Sequence, residues 1–179
     1  FCRHWIEFAS TQSDILIEIR TKSALFNVLK NVKPHKNVLL GWTLSPQEVI
    51  EKYEWDTPPL DRRLNAVRQA LEKGWKVRLC FDPVMIIPQW QKVYGRFLDE
   101  LFEAIPVDQI YDAVVGVFRM NKDFFQRARK REPKVDIYYK DYELNKSVLS
   151  ISEKVHEEVK TFMLEKLEQH FSLDLIDIW

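Results

Sequence analysis

Glycine is scarce in this chain, four residues in 179 against roughly 7% in ordinary proteins. The four stand apart at Gly41, Gly74, Gly95 and Gly116, which excludes a glycine-rich phosphate loop of either the P-loop or the dinucleotide type. Cysteine is scarcer still. Cys2 and Cys80 support neither a disulfide framework nor a paired-cysteine metal site, and they point to a reducing, cytoplasmic compartment. No apolar run approaches the ~18 residues of a membrane span, and no segment reads as a signal peptide, so no membrane partner is expected. An excess of one charge is also missing. The 27 Lys and Arg residues balance 27 Asp and Glu, which removes the whole-molecule field of polyanion-coating proteins and leaves only local patches. The chain opens Phe1-Cys2-Arg3-His4 without an initiator Met, as expected of a fragment or a processed product.

What is present is a composition of 46% apolar and 30% charged residues, enough to build one compact domain over residues 1–179. Strand-like and helix-like segments alternate along it. Residues 14–22 (DILIEIRTK) place Ile15, Ile17 and Ile19 on one face and Glu18, Arg20 and Lys22 on the other. A short helix over 23–32 is followed by a strand over 37–44 (NVLLGWTL), and SPQE at 45–48 has the form of a capping box opening another helix. Leu60, Leu64, Val67 and Leu71 form a helical stripe that Gly74 terminates. A third strand occupies 75–82, with Pro83 limiting it, and an amphipathic helix follows from Trp90. Residues 112–119 form a fourth strand, 121–131 a basic helix, 135–139 a short extra strand, 151–171 the longest helix and 173–178 a terminal strand.

Repeated strand-helix units with short connections predict an α/β fold with an open parallel sheet and flanking helices. Curved as part of a barrel, the sheet would turn Glu18, Arg20, Lys22, Thr43, Arg78, Asp82 and Arg119 inward. Four or five strands cannot close a (β/α) barrel of about 250 residues, so part of the sheet is expected to lie outside this chain. Lys22, Thr43, Ser45, Asp82 and Arg119 fall at or just past predicted strand ends, where such sheets bind ligands. Each also has an ordinary role open to it, Lys22 as a solvated lysine, Ser45 as a helix cap and Asp82 as a turn former.

The histidines at 4, 35, 156 and 170 have no metal-ligand spacing. No GxSxG elbow occurs, and Cys80 reads as a small core residue. Residues 119–134 carry seven basic side chains against Asp123 and Glu132. This segment is read as a solvated helix face, with phosphate attraction as the alternative.

RTKS at 20–23, then GWTLSPQEVIEKYEWDTPPLDRRLNAVRQALEKGW, then FDPV and PQWQKVYGRFLDELFEAIP, in that order, resemble the spore photoproduct lyase-like family of radical SAM proteins, from about Ile15 to Met120. The resemblance implies the C-terminal part of a partial (β/α) barrel in which a [4Fe-4S] cluster and S-adenosylmethionine generate a 5′-deoxyadenosyl radical. It assigns Lys22 to the carboxylate of S-adenosylmethionine, Thr43 and Ser45 to its amino-acid and ribose parts, and Asp82 to its adenosyl end or the substrate. Arg20, Arg78 and Arg119 become candidates for the lumen or substrate. An ammonium complements a carboxylate, and short hydroxyls bond at close range.

The chain departs from the family at three places. It has no CxxxCxxC cluster motif, so the cluster cannot be held by its own two cysteines. Ser45 stands where the family often has Asn. The Arg/Tyr-rich hairpin that the lyases use on damaged DNA has no match in the residues of DYELNKSVLSIS. The expected function is therefore the cofactor- and substrate-binding C-terminal half of a DNA photoproduct lyase-like enzyme, inactive alone, with the N-terminal barrel half as partner and DNA as substrate. The competing reading is a free-standing α/β binding or scaffold module without radical chemistry.

Overall fold

A computed structural model describes residues 2–12 and 14–179. Its frame is a five-stranded, all-parallel sheet in the order β1-β2-β3-β4-β8. These strands are β1 (Ile17–Thr21), β2 (Val38–Thr43), β3 (Lys76–Val84), β4 (Asp112–Val117) and β8 (Ile176–Ile178). The connections carry α1 (Cys2–Ser10) before β1, α2 (Gln47–Tyr53) and α3 (Leu60–Glu72) before β3, and α4 (Trp90–Ala104) before β4. After β4 the chain forms β5 (Arg119–Asn121), α5 (Lys122–Arg131), the hairpin β6 (Glu143–Asn145) and β7 (Val148–Ser150), and α6 (Glu153–Leu167). Strands β5, β7 and β6 pair as a small antiparallel sheet.

The two faces of the large sheet differ in kind because strand side chains alternate. One face carries Val38, Leu40 and Trp42, then Val77, Leu79 and Phe81, then Ala113, Val115 and Val117, all in the main hydrophobic core with Leu64 and Val67 of α3, Phe97 and Leu101 of α4, and Val159 and Met163 of α6. The other face carries Leu39, Cys80 and Val114, which are buried yet lie outside that core. Its remaining positions are mostly charged. At the end of β3, the Met85 amide donates to the buried Tyr94 hydroxyl of α4 at 2.8 Å, tying the strand end to the helix layer.

Several local expectations change. Residues 135–139 form a 3-10 turn over Asp136–Tyr139 rather than a strand, because Ile137 and Tyr138 pack inward against the core instead of pairing with a neighbour. The helix expected over 23–32 is reduced to a 3-10 turn, Phe26–Leu29. Strand β3 continues through Pro83 to Val84, with a cis Asp82–Pro83 bond and a register shift against β4 in that stretch. Arg119 leaves β4 and starts β5 in the second sheet. Pro46, not Ser45, precedes the first turn of α2, and no side chain caps it; the Ser45 hydroxyl donates to Glu54 at 3.1 Å instead. Among the described residues, no helix is long and apolar enough to cross a membrane.

The buried charge of α3 is the main polar constraint on this fold. The Arg63 side chain is fully buried and donates to the carbonyls of Pro58 (2.9 Å) and Thr43 (3.2 Å) and to the Thr57 hydroxyl (2.7 Å). It also pairs with Glu54 at 2.7 Å. Arg63→Met leaves one Glu54 oxygen and three further acceptors without their buried donor, with only the partly exposed Lys22 left to neutralise the carboxylate, and is expected to lower unfolding free energy by about 3–5 kcal/mol, read as a lowered urea midpoint. Burial pushes the Glu54 carboxyl up, but Lys22 and Arg63 outweigh it and hold it below the ordinary range. A depressed carboxyl stabilises the fold above its unfolded pKa, and this is lost as pH falls through the folded value. Stability should therefore drop below about pH 4.3. Glu54→Gln should flatten that acid limb, and an unchanged limb would refute the assignment.

Candidate functional site

The register brings Arg20 of β1, Gly41 of β2, Arg78 of β3 and Asp112 of β4 into one row. Glu18, Cys80 and Asp82 share their face by alternation. Arg78 holds Asp112 with two parallel bonds of 2.6 Å and reaches Glu18 at 2.8 Å. Arg20 binds the other oxygen of Glu18 at 2.8 Å and Asp82 at 3.3 Å. Arg119 approaches the second Asp82 oxygen at 3.3 Å and lies 3.9 Å from the ring centre of Trp179. The result is an unbroken chain of alternating charge, Asp112-Arg78-Glu18-Arg20-Asp82-Arg119, across the open face of the sheet. Hydrogen bonds from Arg78 to Asp112 are the main reason its guanidinium is held more firmly protonated than usual.

Two glycines make room for it. A Cβ on Gly41 would sit 2.7 Å from a Glu18 oxygen, and one on Gly116 would sit 2.6 Å from Asp82 and 3.0 Å from Arg119. Cys80 lies in the same face, with its sulfur 3.9 Å from Glu18. Burial above all pushes its thiol up to about 12, so it keeps its proton at neutral pH.

A second cluster stands at the rim formed by the C-terminal ends of β1, β2 and β3. Lys22, directly after β1, pairs with Glu54 at 3.0 Å, and Ser45, just past β2, donates to the same carboxylate oxygen at 3.1 Å. Arg63 takes the other oxygen and also binds the Thr43 carbonyl. The Glu54 side chain is 7% exposed and that of Lys22 37%. Two cations therefore share one carboxylate, and the cluster carries one uncompensated positive charge whose accessible part is the Lys22 ammonium. Lys22 and Glu54 line a cavity of about 210 Å³ whose walls include Trp55, Met85, Phe118 and Tyr138.

The structure thus gathers Lys22, Thr43 and Ser45 around Glu54 and Arg63, and gathers Arg20, Arg78, Asp82 and Arg119 into the network on the open face. Thr43 and Ser45 are nearly fully buried. Sequence reasoning missed Glu54, Arg63 and Asp112. Arg63 did leave a signal. It falls between Leu60 and Leu64 in the apolar stripe of α3, a position that demands a buried partner. Among the described residues, no group of three or more His, Cys, Asp or Glu is arranged to hold a metal ion.

A sequence profile described as "Spore photoproduct lyase" matches residues 2–173. The spore photoproduct lyase of Bacillus subtilis (strain 168) is 25% identical over 121 residues, covering 67% of this chain and 34% of the relative. Among solved structures, a spore photoproduct lyase point mutant superposes with a TM-score of 0.86 at 18% identity, over 99% of this chain and 54% of that one. Spore photoproduct lyase complexed with dinucleoside spore photoproduct gives 0.81 at 19% identity, with the same coverage. A double mutant with bound AdoMet and dinucleoside spore photoproduct gives 0.82 at 18%. These structures share the fold, with its parallel sheet and flanking helices, and the chain spans about half their length. With the profile matching nearly the whole sequence, the chain belongs to the spore photoproduct lyase family.

Proposed function

We propose that this chain is the cofactor- and substrate-facing part of a lyase that repairs photoproducts in DNA, and that the Lys22 rim receives the carboxylate of S-adenosylmethionine. The observation that carries this reading is the charge count at the rim, where Lys22 and Arg63 share the single carboxylate of Glu54. An ammonium has three donors, and Glu54 engages one side of it, so Lys22 can meet a second anion without leaving Glu54. Arg63, fully buried, holds the carboxylate in place. Ser45 joins the site by fixing Glu54, and Thr43, the last residue of β2, is assigned to the amino-acid part on the family resemblance. The cavity beside Lys22 is walled in part by Trp55, Met85, Phe118 and Tyr138, apolar surface that would limit the water around such a contact. Asp82 is poised between two guanidiniums at the entrance to the open face, where Arg20, Arg78 and Arg119 would meet polar groups of the adenosyl moiety or the substrate.

S-adenosylmethionine bound to a [4Fe-4S] cluster supplies radical chemistry, and the rim residues fit the S-adenosylmethionine part of that pair. The cluster does not fit this chain, whose cysteines lie in α1 and in buried β3 and cannot supply the close thiolate array it needs. We propose that its ligands, and the cover for the open sheet face and the free edge of β1, come from the part of the relatives' length that this chain does not span.

A charge-assisted contact to Lys22 is worth about 1.5–3 kcal/mol, so Lys22→Ala should weaken S-adenosylmethionine binding roughly ten- to a hundred-fold in anaerobic calorimetry. Fold stability should change little, because Arg63 still neutralises Glu54; equal dissociation constants would remove Lys22 from the site. Anaerobic reconstitution of the isolated chain with iron and sulfide should give no cluster absorbance, and stoichiometric uptake would refute the reading of its cysteines.

A further inference from the structure

We propose that the exposed arc of α5 is a docking surface for the phosphodiester backbone of duplex DNA, bound without regard to sequence. The proposal rests on the reading of this chain as part of a DNA-acting enzyme, but it is carried by its own observations. α5 holds five basic side chains, Lys122, Arg127, Arg129, Lys130 and Arg131, against Asp123 alone, an excess of four positive charges in a chain whose net charge is zero. A merely solvated face would be expected to pair such charges along the helix. Other helices of the protein do this, as in Arg3–Glu7 of α1 and Lys160–Glu157 of α6.

α5 does not. Among the described residues, Lys122, Arg129, Lys130 and Lys134 have no ion-pair partner, Arg127 reaches only a backbone carbonyl and the ring of Phe124, and Arg131 meets its neighbour Glu132 at 3.8 Å. Only Phe125 and Ala128 of the helix are buried; Arg127 and Lys130 lie on the side turned away from them, and Lys122, Arg129 and Arg131, three or four residues from one or the other, flank the buried stripe. At ~1.5 Å per residue the ten residues of α5 extend about 15 Å, along which duplex DNA presents on the order of nine phosphate charges.

Placement gives the surface a purpose. α5 starts where β5 leaves the C-terminal end of β4, on the rim that carries the candidate site. The hairpin beside it is bonded to its first residue through Lys122 N–H and the Ser147 carbonyl. That hairpin adds Lys146, at its exposed turn, to the positive charge on this side of the rim. Lengthwise contact with α5 would bring the duplex to the mouth of the sheet.

The test is fluorescence anisotropy of a labelled, undamaged DNA duplex with this chain across a salt series. Arg127→Gln/Lys130→Gln/Arg131→Gln removes three charges from one exposed side of the helix while keeping good helix formers. Lys30→Gln/Lys33→Gln/Lys36→Gln makes the same change in net charge near the opposite rim. The α5 variant should weaken binding roughly tenfold or more at low salt and reduce the slope of log K against log salt by about 0.9 for each phosphate no longer neutralised, with the control near wild type. Equal weakening in both variants, no duplex binding by the wild-type chain, or tighter binding to anionic lipid vesicles than to duplex would each overturn the assignment. Because the assay contains no S-adenosylmethionine, its failure leaves the Lys22 titration standing as a separate measurement.

Discussion

A parallel sheet that packs helices on one face only must find another way to satisfy its second face, and this protein does so by pairing charges across strands. Glu18 is the pivot. It accepts from Arg20 on its own strand and from Arg78 two strands away, and so ties the β1 edge to the centre of the sheet. Side chains of this network are 14% to 34% exposed, where isolated pairs contribute only ~0–1 kcal/mol each. Its value is therefore geometric more than energetic. The bidentate Arg78–Asp112 contact fixes one guanidinium plane, and through Glu18 that order extends to Arg20 and Asp82. Each charged group at the entrance is held by at least one neighbour before any ligand arrives.

The same constraint explains where a glycine-poor chain spends two of its glycines. Gly41 and Gly116 lie in the charged face, and the space their missing Cβ atoms leave is occupied by the Glu18 and Asp82 carboxylates. Larger residues would push those carboxylates away from their guanidinium partners. Absence of a glycine loop and presence of single glycines in strands are thus one observation. At both glycines the backbone recedes so that a side-chain carboxylate can meet its guanidinium partners.

The layered fold was legible because strand alternation and the helical stripes of α3 and α4 are local signals that burial reinforces. Positions of Lys22, Thr43 and Asp82 near strand ends were legible for the same reason. What escaped was set by long-range pairing. Glu54 follows α2 with no local sign of its partners, Asp112 reads only as the first residue of a strand, and only the register of β3 against β4 shows that Asp112 closes the Arg78 fork. Ser45 satisfied every local rule for a cap and was drawn off by a carboxylate nine residues later. The turn at 136–139 failed as a strand because its apolar residues face the core rather than alternating, and a five-residue window does not distinguish those patterns. The β6–β7 hairpin was hidden by its composition, which lacks the aromatic and glycine signals of common hairpins.

Charge is also distributed by depth, and depth decides what each group can do. The open-face network contains three arginines and three carboxylates and is neutral as a unit. The rim cluster carries its accessible positive charge on Lys22, whose side chain is 37% exposed above the buried Glu54 and Arg63, so a small anion placed there would meet one directional charge that water and salt screen in part. The cations of α5 stand in solvent, where fields decay over about 8 Å at physiological salt, and only a ligand presenting many phosphates at once gathers enough contacts to bind them. Under the two proposals, a single compact anion would be selected at the rim and a polyanion at the helix. Because the open-face network is neutral as a unit, it would add little net field to either selection, and a polyanion at α5 would have no electrostatic reason to displace a small anion from Lys22.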